Sequence, residues 1–317
     1  MLGTVTPHSP ASHDEPRYAP PVDLTGFAWL SIAAAIVTIG LKGGAAYLTG
    51  SVGLLSDAAE SLVNLVAGIV ALIALKVAMK PPDENHPFGH SKAEYFAAAI
   101  EGIMIFVAAA FIIAASVERL INPVLPEQLG IGLAISTLAA IINGAVAYVL
   151  RKQGHKHNSA TLIADGKHLT TDVITSAAVL IGVGLVAITN QPQLDPIVAL
   201  IAGANILWTG FGLIRESVNG LMDLSLPEET NAELNSVLDG FRQPGMIEFH
   251  AIRTRRGGNR QFMEFHVLVP GSWSVRRGHD LAEDIIDALV AVVPDVRVSA
   301  HLEPIEDPRS YADEEDY

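Results

Sequence analysis

The sequence predicts an α-helical membrane protein, six transmembrane helices followed by a small soluble α+β domain. Three observations carry this reading. Half of the 317 residues are apolar and 17% charged, with a mean hydropathy of +0.37, a balance expected of an integral membrane protein with a soluble part attached. Six apolar stretches, at roughly 24–47, 52–76, 94–117, 127–150, 160–188 and 196–215, each approach or exceed the length needed to cross a ~30 Å hydrocarbon core. Beyond Gly220 the pattern changes to short alternating runs interleaved with helical spacing.

In chain order, residues 1–22 are rich in Pro, Ser, His and charge without periodicity, and read as a disordered tail. The first apolar stretch lacks a basic flank followed by a small-residue cleavage site, so it reads as a span and not a signal peptide. The membrane domain is expected over 23–220. Pro227, in the first turn of a polar helix, opens a soluble domain over 221–305. Residues 246–255 and 260–269 read as strands joined by the turn Arg256-Gly257-Gly258-Asn259. A helix over 275–293 and a last strand over 297–302 complete the order helix, strand, strand, helix, strand, a small open ferredoxin-like (metallochaperone-like) sheet with helices on one face. The acidic remainder, 306–317, reads as a frayed tail.

Charge orients the chain. Lys76 and Lys80 follow the second span, Arg151, Lys152 and Lys156 the fourth, and Arg215 closes the sixth, whereas the loops after the third and fifth offer little beyond Arg119. The positive-inside rule then puts both termini and the soluble domain in the cytoplasm, and a bacterial inner membrane is the expected location. A net charge of −14 argues against nucleic acid as a partner, and the absence of cysteine excludes disulfides and thiolate metal sites.

Two spans repeat one polar pattern. Asp57, Glu60 and Asn64 in the second, and Asp165, His168 and Asp172 in the fifth, recur at offsets of three and then four residues. On a helix, such offsets bring the three side chains onto one stripe. Polar residues within spans can simply bond a neighbouring helix, but several ionisable groups at membrane depth are costly and normally mark an ion or proton path. Glu60, Asn64, His168 and Asp172 are the expected ligands of a divalent cation; Asp57 and Asp165, one turn nearer the start of each stripe, read as mouth residues, helix caps or accessory ligands. With His168 neutral, Glu60 and Asp172 contribute one negative charge each, so one divalent ion neutralises the set. One imidazole among carboxylates suits Zn²⁺, and the oxygen-rich remainder also suits Mn²⁺, Fe²⁺ or Co²⁺. Metal and protons compete for these atoms, which allows a proton gradient to drive metal release.

Two further constellations lie outside the spans. Asp83, His86 and His90 have a D-x-x-H-x-x-x-H spacing in the loop after the second span. His250, His266 and His301, one per strand, share the polar sheet face with Glu303, and His279 in the following helix can reach the same region or a partner chain. His8, His13, His155 and His157 read as uninvolved.

Together these residues resemble the cation diffusion facilitator family of divalent-metal transporters, over nearly the whole chain after the tail. Gly50-Ser51 with Leu54, Leu55, Asp57 and Ala58 is similar to its second-span signature. His86-Pro87-Phe88-Gly89-His90, followed by Lys92, Ala93 and Glu94, is similar to its loop motif. Asp165, His168 and Asp172 match its fifth-span pattern, and 250–255 the start of its cytoplasmic domain. The resemblance implies a homodimer that exports metal from the cytoplasm against protons by alternating access. It also implies a transport site at Glu60, Asn64, His168 and Asp172, a peripheral site at Asp83, His86 and His90, and a regulatory site at the cytoplasmic dimer interface from His250, His266, His279, His301 and Glu303. The chain departs from the usual pattern in carrying Glu60 where Asp or His is common, Asn64 where Asp is common, and Glu303 where Asp is often found. His168 favours Zn²⁺ by analogy with zinc-transporting relatives; Asn64 leaves Mn²⁺ and Fe²⁺ open, and Co²⁺ and Cd²⁺ are further cargoes. Among rivals, an intramembrane metalloprotease lacks its H-E-x-x-H helix. A membrane-bound metal sensor would need the soluble histidines but no transport, and a channel would conduct without proton coupling. An enzyme is not expected.

Overall fold

The computed structural model describes residues 22–49, 52–122, 131–191 and 193–312, with only the backbone along 52–60. These residues form two compact units. The first is helical: α1 (Thr25–Thr49), α2 (Val52–Ala78), α3 (Ala93–Ile121), α4 (Ile131–Lys156), α5 (Ala160–Thr189) and α6 (Leu194–Leu221). All six are long and apolar enough to cross a membrane, and bulky apolar side chains such as Phe111, Ile188 and Trp208 lie on the outside.

The helices overrun the apolar stretches that announce them. At 1.5 Å per residue, the 28 residues of α6 span about 42 Å, more than the ~30 Å of hydrocarbon. Arg151, Lys152 and Lys156, expected to follow the fourth span, therefore stand within the last turns of α4. Lys76 likewise lies in the last turn of α2, and Arg215 lies within α6. A helix continues past the apolar boundary because its backbone bonds are internal, and long basic side chains carry their charge to the interface.

Lipid offers little hydrophobic drive between helices, so close backbone approach matters. Gly102 of α3 and Gly210 of α6 supply it: a Cβ at Gly210 would meet the Phe106 backbone N at 2.8 Å, and one at Gly102 the Ile214 N at 3.0 Å. On α5, a Cβ at Gly166 would lie 3.1 Å from the Arg151 N of α4. Helix α5 packs against α4, α6, α3 and α2, a central position for the helix that carries Asp165, His168 and Asp172.

The second unit begins at Ser225 and contains α7 (Glu228–Phe241), β1 (Glu248–Gly257), β2 (Arg260–Val269), α8 (Val275–Val292), β3 (Val296–Pro304) and a 3-10 turn (Pro308–Tyr311). The expected order of elements is present, and the three-stranded sheet runs β1-β2-β3. Strands β2 and β3 are parallel and joined through α8, in a register that sets His266 beside His301. Phe249, Met263, Phe265 and Val267 bury one sheet face against Leu234 and Leu238 of α7 and Ile285 and Leu289 of α8. Alternation leaves His250 and His266 on the other face. Ala251, directly after His250, has φ of 49°, a left-handed conformation costing a residue with a Cβ about 1–2 kcal/mol.

The segment after Glu303 differs from the frayed end that its composition suggests. Ile305 N donates to Val269 O (2.8 Å), Ser310 Oγ to Pro304 O (2.8 Å) and Tyr311 OH to Ile305 O (3.0 Å). Polar bonds to backbone hold this clasp, and hydrophobic periodicity carries no trace of it.

Candidate metal centres

In the membrane unit, α2 and α5 bring Asn64, His168 and Asp172 together. Asn64 and His168 are buried, at 4% and 5% exposure. His168 Nε2 lies 2.9 Å from Asn64 Oδ1, and Asn64 Nδ2 donates to Asp172 Oδ2. Asn143 of α4 donates to the same carboxylate oxygen at 3.2 Å. The amide orientation follows from chemistry, since the opposite flip would set two acceptor oxygens against each other. An amide oxygen only accepts, so His168 carries its proton on Nε2 in this arrangement. Lys42 of α1 interacts electrostatically with Asp172.

The side chains of Asp57 and Glu60 lie outside the described residues. The α2 backbone does run through both, four residues separating Glu60 from Asn64 on one helical face. Asp165 has its own partner, accepting a 3.1 Å bond from Ser31 Oγ of α1, and interacts electrostatically with His168 and Asp172.

Several buried polar residues in this unit lie outside the sequence reading of the site, among them Asn143, Ser31, Glu101 and Glu94. Asn143, Ser31 and Glu101 each stand alone in an apolar run, so no stripe advertises them. Glu94 appears in the sequence only as part of the loop motif; here its carboxylate accepts from Ser159 Oγ and from the Thr161 backbone N at 3.3 Å. Ser159 is the N-cap of α5, so a side chain of α3 completes the cap of the helix bearing His168 and Asp172.

The loop triad converges as its spacing suggests. Asp83 Oδ1 is 3.1 Å from His86 Nδ1, and Asp83 Oδ2 is 3.4 Å from His90 Nε2. Asp83 also accepts from the backbone N–H groups of His86 (2.7 Å) and Asn85 (3.0 Å). The His86 backbone bond is the main reason its carboxyl is held below the ordinary range. Gly89, at φ of 85°, permits the turn between the two histidines.

In the sheet unit, Glu303 is the hub. Its Oε2 lies 3.0 Å from His250 Nε2 and 3.2 Å from His266 Nδ1, and its Oε1 3.4 Å from His301 Nε2. His301 is the exposed edge of the group at 67%. Tyr311 of the clasp sits with its ring 5.9 Å from that of His250. His279, on α8, is 63% exposed and 4.0 Å from Glu283, and is not among the residues whose ligand atoms converge within 4.8 Å.

Tetrahedral Zn²⁺ with bonds of about 2.0–2.1 Å separates its ligand atoms by roughly 3.3 Å. The 3.0–3.4 Å spacings in the loop and sheet sets are close to that value, and one ligand atom each from Asp83, His86 and His90, and likewise from His250, His266 and Glu303, lie within 4.8 Å of one another.

Comparison with known proteins agrees with this architecture. Residues 28–222 match the cation efflux transmembrane domain, and residues 226–305 the cation efflux protein cytoplasmic domain. An uncharacterized transporter of Synechocystis is 49% identical over 285 residues, covering 90% of this chain and 92% of that protein. The cation-efflux pump FieF of Serratia proteamaculans is 30% identical over 290 residues, covering 92% and 95%. Among solved structures, the metal-bound C-terminal domain of the CzcD transporter from Thermotoga maritima is 28% identical, covers 25% of this chain and 92% of its own, and gives a TM-score of 0.23. Six membrane-crossing helices carrying buried His and Asp, a three-stranded cytoplasmic-type domain, and family matches spanning both units make this chain a member of the cation diffusion facilitator family, a membrane transporter of cations and not an enzyme.

Proposed function

We propose that the protein exports a divalent transition metal from the cytoplasm in exchange for protons, with Zn²⁺ as the first cargo. The observation that carries this is the buried network in which Asn64 bridges His168 and Asp172 across α2 and α5. His168 Nε2 can ligate a metal only once the proton it donates to Asn64 has left or moved to Nδ1, and Asp172 must be ionised and exchange its amide donors for the ion. Metal and protons thus compete for the same atoms. Glu60, one turn along the stripe, supplies the second carboxylate that makes one M²⁺ neutralise the set.

The loop triad is read as a peripheral site, and the His250–His266–Glu303 cluster, with His301 at its edge, as a regulatory site. His279, exposed on α8 and outside the converging set, is read as offered to a second copy in a homodimer. Asn64 in place of a carboxylate favours a second cargo reading, Mn²⁺ or Fe²⁺, whose oxygen preference an amide suits better than a tetrahedral zinc site does. Co²⁺ and Cd²⁺ are to be compared alongside. Basic loop residues support cytoplasmic termini, in a bacterial inner membrane. In proteoliposomes with an imposed pH gradient, Zn²⁺ should drive counter-flux of protons, and Asp172→Ala should abolish both fluxes. Unchanged coupled flux in that variant would refute the site, metal flux without proton flux would indicate a channel, and neither flux in the unaltered protein a sensor.

A further inference from the structure

Two buried carboxylates in the membrane unit are left over by this function. Glu101 lies about 12 Å along α3 from Ala93, and Asp165 is on α5; both have 0% exposure. Ala98 and Ile105, a turn to either side of Glu101, pack in one cluster with Ala164, and the charges of Glu101 and Asp165 interact. Among the described residues, neither oxygen of Glu101 has a hydrogen-bond partner, nor has Asp165 Oδ2; Asp165 Oδ1 is used by Ser31.

The contrast with Glu94 is informative. Seven residues earlier on the same face of α3 and equally buried, Glu94 spends its carboxylate on the cap of α5. The fold can therefore satisfy a structural glutamate here, and Glu101 is not one. A buried carboxylate without donors is costly unless a proton neutralises it or a cation meets it, and such residues in spans normally serve an ion or proton path. A pair sharing one proton would bring two oxygens within about 2.5–3.0 Å. No such bond joins these two side chains. A bridging ion with bonds of about 2.0–2.2 Å holds carboxylate oxygens farther apart than that.

We propose that Glu101 and Asp165, with Ser31 beside them, form a further divalent-cation site in the membrane unit, built from oxygen alone and one helical turn before His168. The two carboxylates match the charge of one M²⁺. Three residues separate Asp165 from His168, an axial step of about 4.5 Å, so an ion released here is next to the transport ligands. The site is a station on the cargo's path, a role that rests on the transporter reading above.

The test uses the full chain in lipid nanodiscs with ¹¹³Cd²⁺ as probe, because cadmium resonances separate all-oxygen from nitrogen-containing coordination and the other three candidate sets all contain histidine. An oxygen-only resonance is expected that Glu101→Gln removes and His168→Ala retains, together with at least a tenfold loss of flux at low metal in Glu101→Gln. Oxygen-only signals unaltered by Glu101→Gln would overturn the site, and full flux in that variant would overturn the station. Should Glu101→Gln fail to fold, Glu101→Asp, one methylene shorter, is expected to shift the same resonance, and an unmoved spectrum overturns the proposal. Loss of the oxygen-only resonance in Glu101→Gln alongside undiminished flux in Asp172→Ala would instead leave this site standing and refute the transport ligands.

Discussion

Asp172 Oδ2 draws on two amides from different helices, Asn64 of α2 and Asn143 of α4, and this sharing makes a sharp stability prediction. Asn64→Leu keeps the side-chain size but removes the charge-assisted bond to Asp172, about 1.5–3 kcal/mol, and the bond to His168 Nε2, about 0.5–1.5 kcal/mol. Credit for the more apolar leucine, and for Lys42 nearby, brings the expected loss to about 3 kcal/mol. Asn143→Leu removes one 3.2 Å bond from a residue whose own Oδ1 is already unpaired, so its loss should be about 1–2 kcal/mol. The double variant leaves Asp172 Oδ2 without either amide donor, and removing the partners of a buried charge costs up to about 3–5 kcal/mol, less what Lys42 offsets. The two losses should therefore exceed additivity by about 1.5 kcal/mol, within the range for residues sharing a partner. Thermal unfolding of detergent-solubilised protein in excess chelator measures it, at about 2–4 °C per kcal/mol for a unit of this size. Asn64→Leu should melt roughly 6–12 °C below the parent. A melting point unchanged by Asn64→Leu, or losses that add to within about 0.5 kcal/mol, would refute the shared-acceptor geometry.

Glu303→Ala should weaken Zn²⁺ binding to the sheet cluster by more than about 100-fold, the upper range for merely outer-shell partners, as read by calorimetry, while transport at saturating metal persists. Gly210→Leu should prevent assembly of the membrane unit because its side chain meets the Phe106 backbone, whereas Gly212→Leu, with nothing within 4 Å of its Cβ position, should give normal yield and melting. Asp307 is pulled down to about 2, chiefly by the Arg309 side chain. A carboxyl lowered on folding stabilises above its unfolded value of about 3.9, and that contribution is lost as pH falls through about 2. The Asp307 cap on the Arg309 backbone N–H should thus persist at pH 4, with that amide still hydrogen-bonded by NMR.

Features with a local period were legible in the chain. Six apolar runs, the α-β-β-α-β order and the 3,4-spaced stripes all follow from 3.6- and 2-residue repeats, and the loop triad from spacing within eight residues. The unread features belong to single polar residues. Asn143 and Ser31 look alike as isolated breaks in apolar helices, and nothing local says that one reaches Asp172 and the other Asp165. His279 belongs with the sheet histidines by resemblance, yet it stands exposed on α8, outside the converging set. The clasp after Glu303 is not legible because it depends on hydroxyl and N–H bonds to backbone carbonyls in a composition that resembles a solvated end.

Length, hydropathy and periodicity thus determined, from the sequence alone, which segments are helices or strands and which polar residues share a helix face. Only the tertiary structure decided which faces meet. Helix rotation and crossing depend on non-local close approaches such as Gly102 against α6 and Gly166 against α4, and no repeat in the chain records them. That is why Glu94 and Glu101, seven residues apart on one face of one helix, end as a cap for α5 and as an unsatisfied carboxylate beside Asp165.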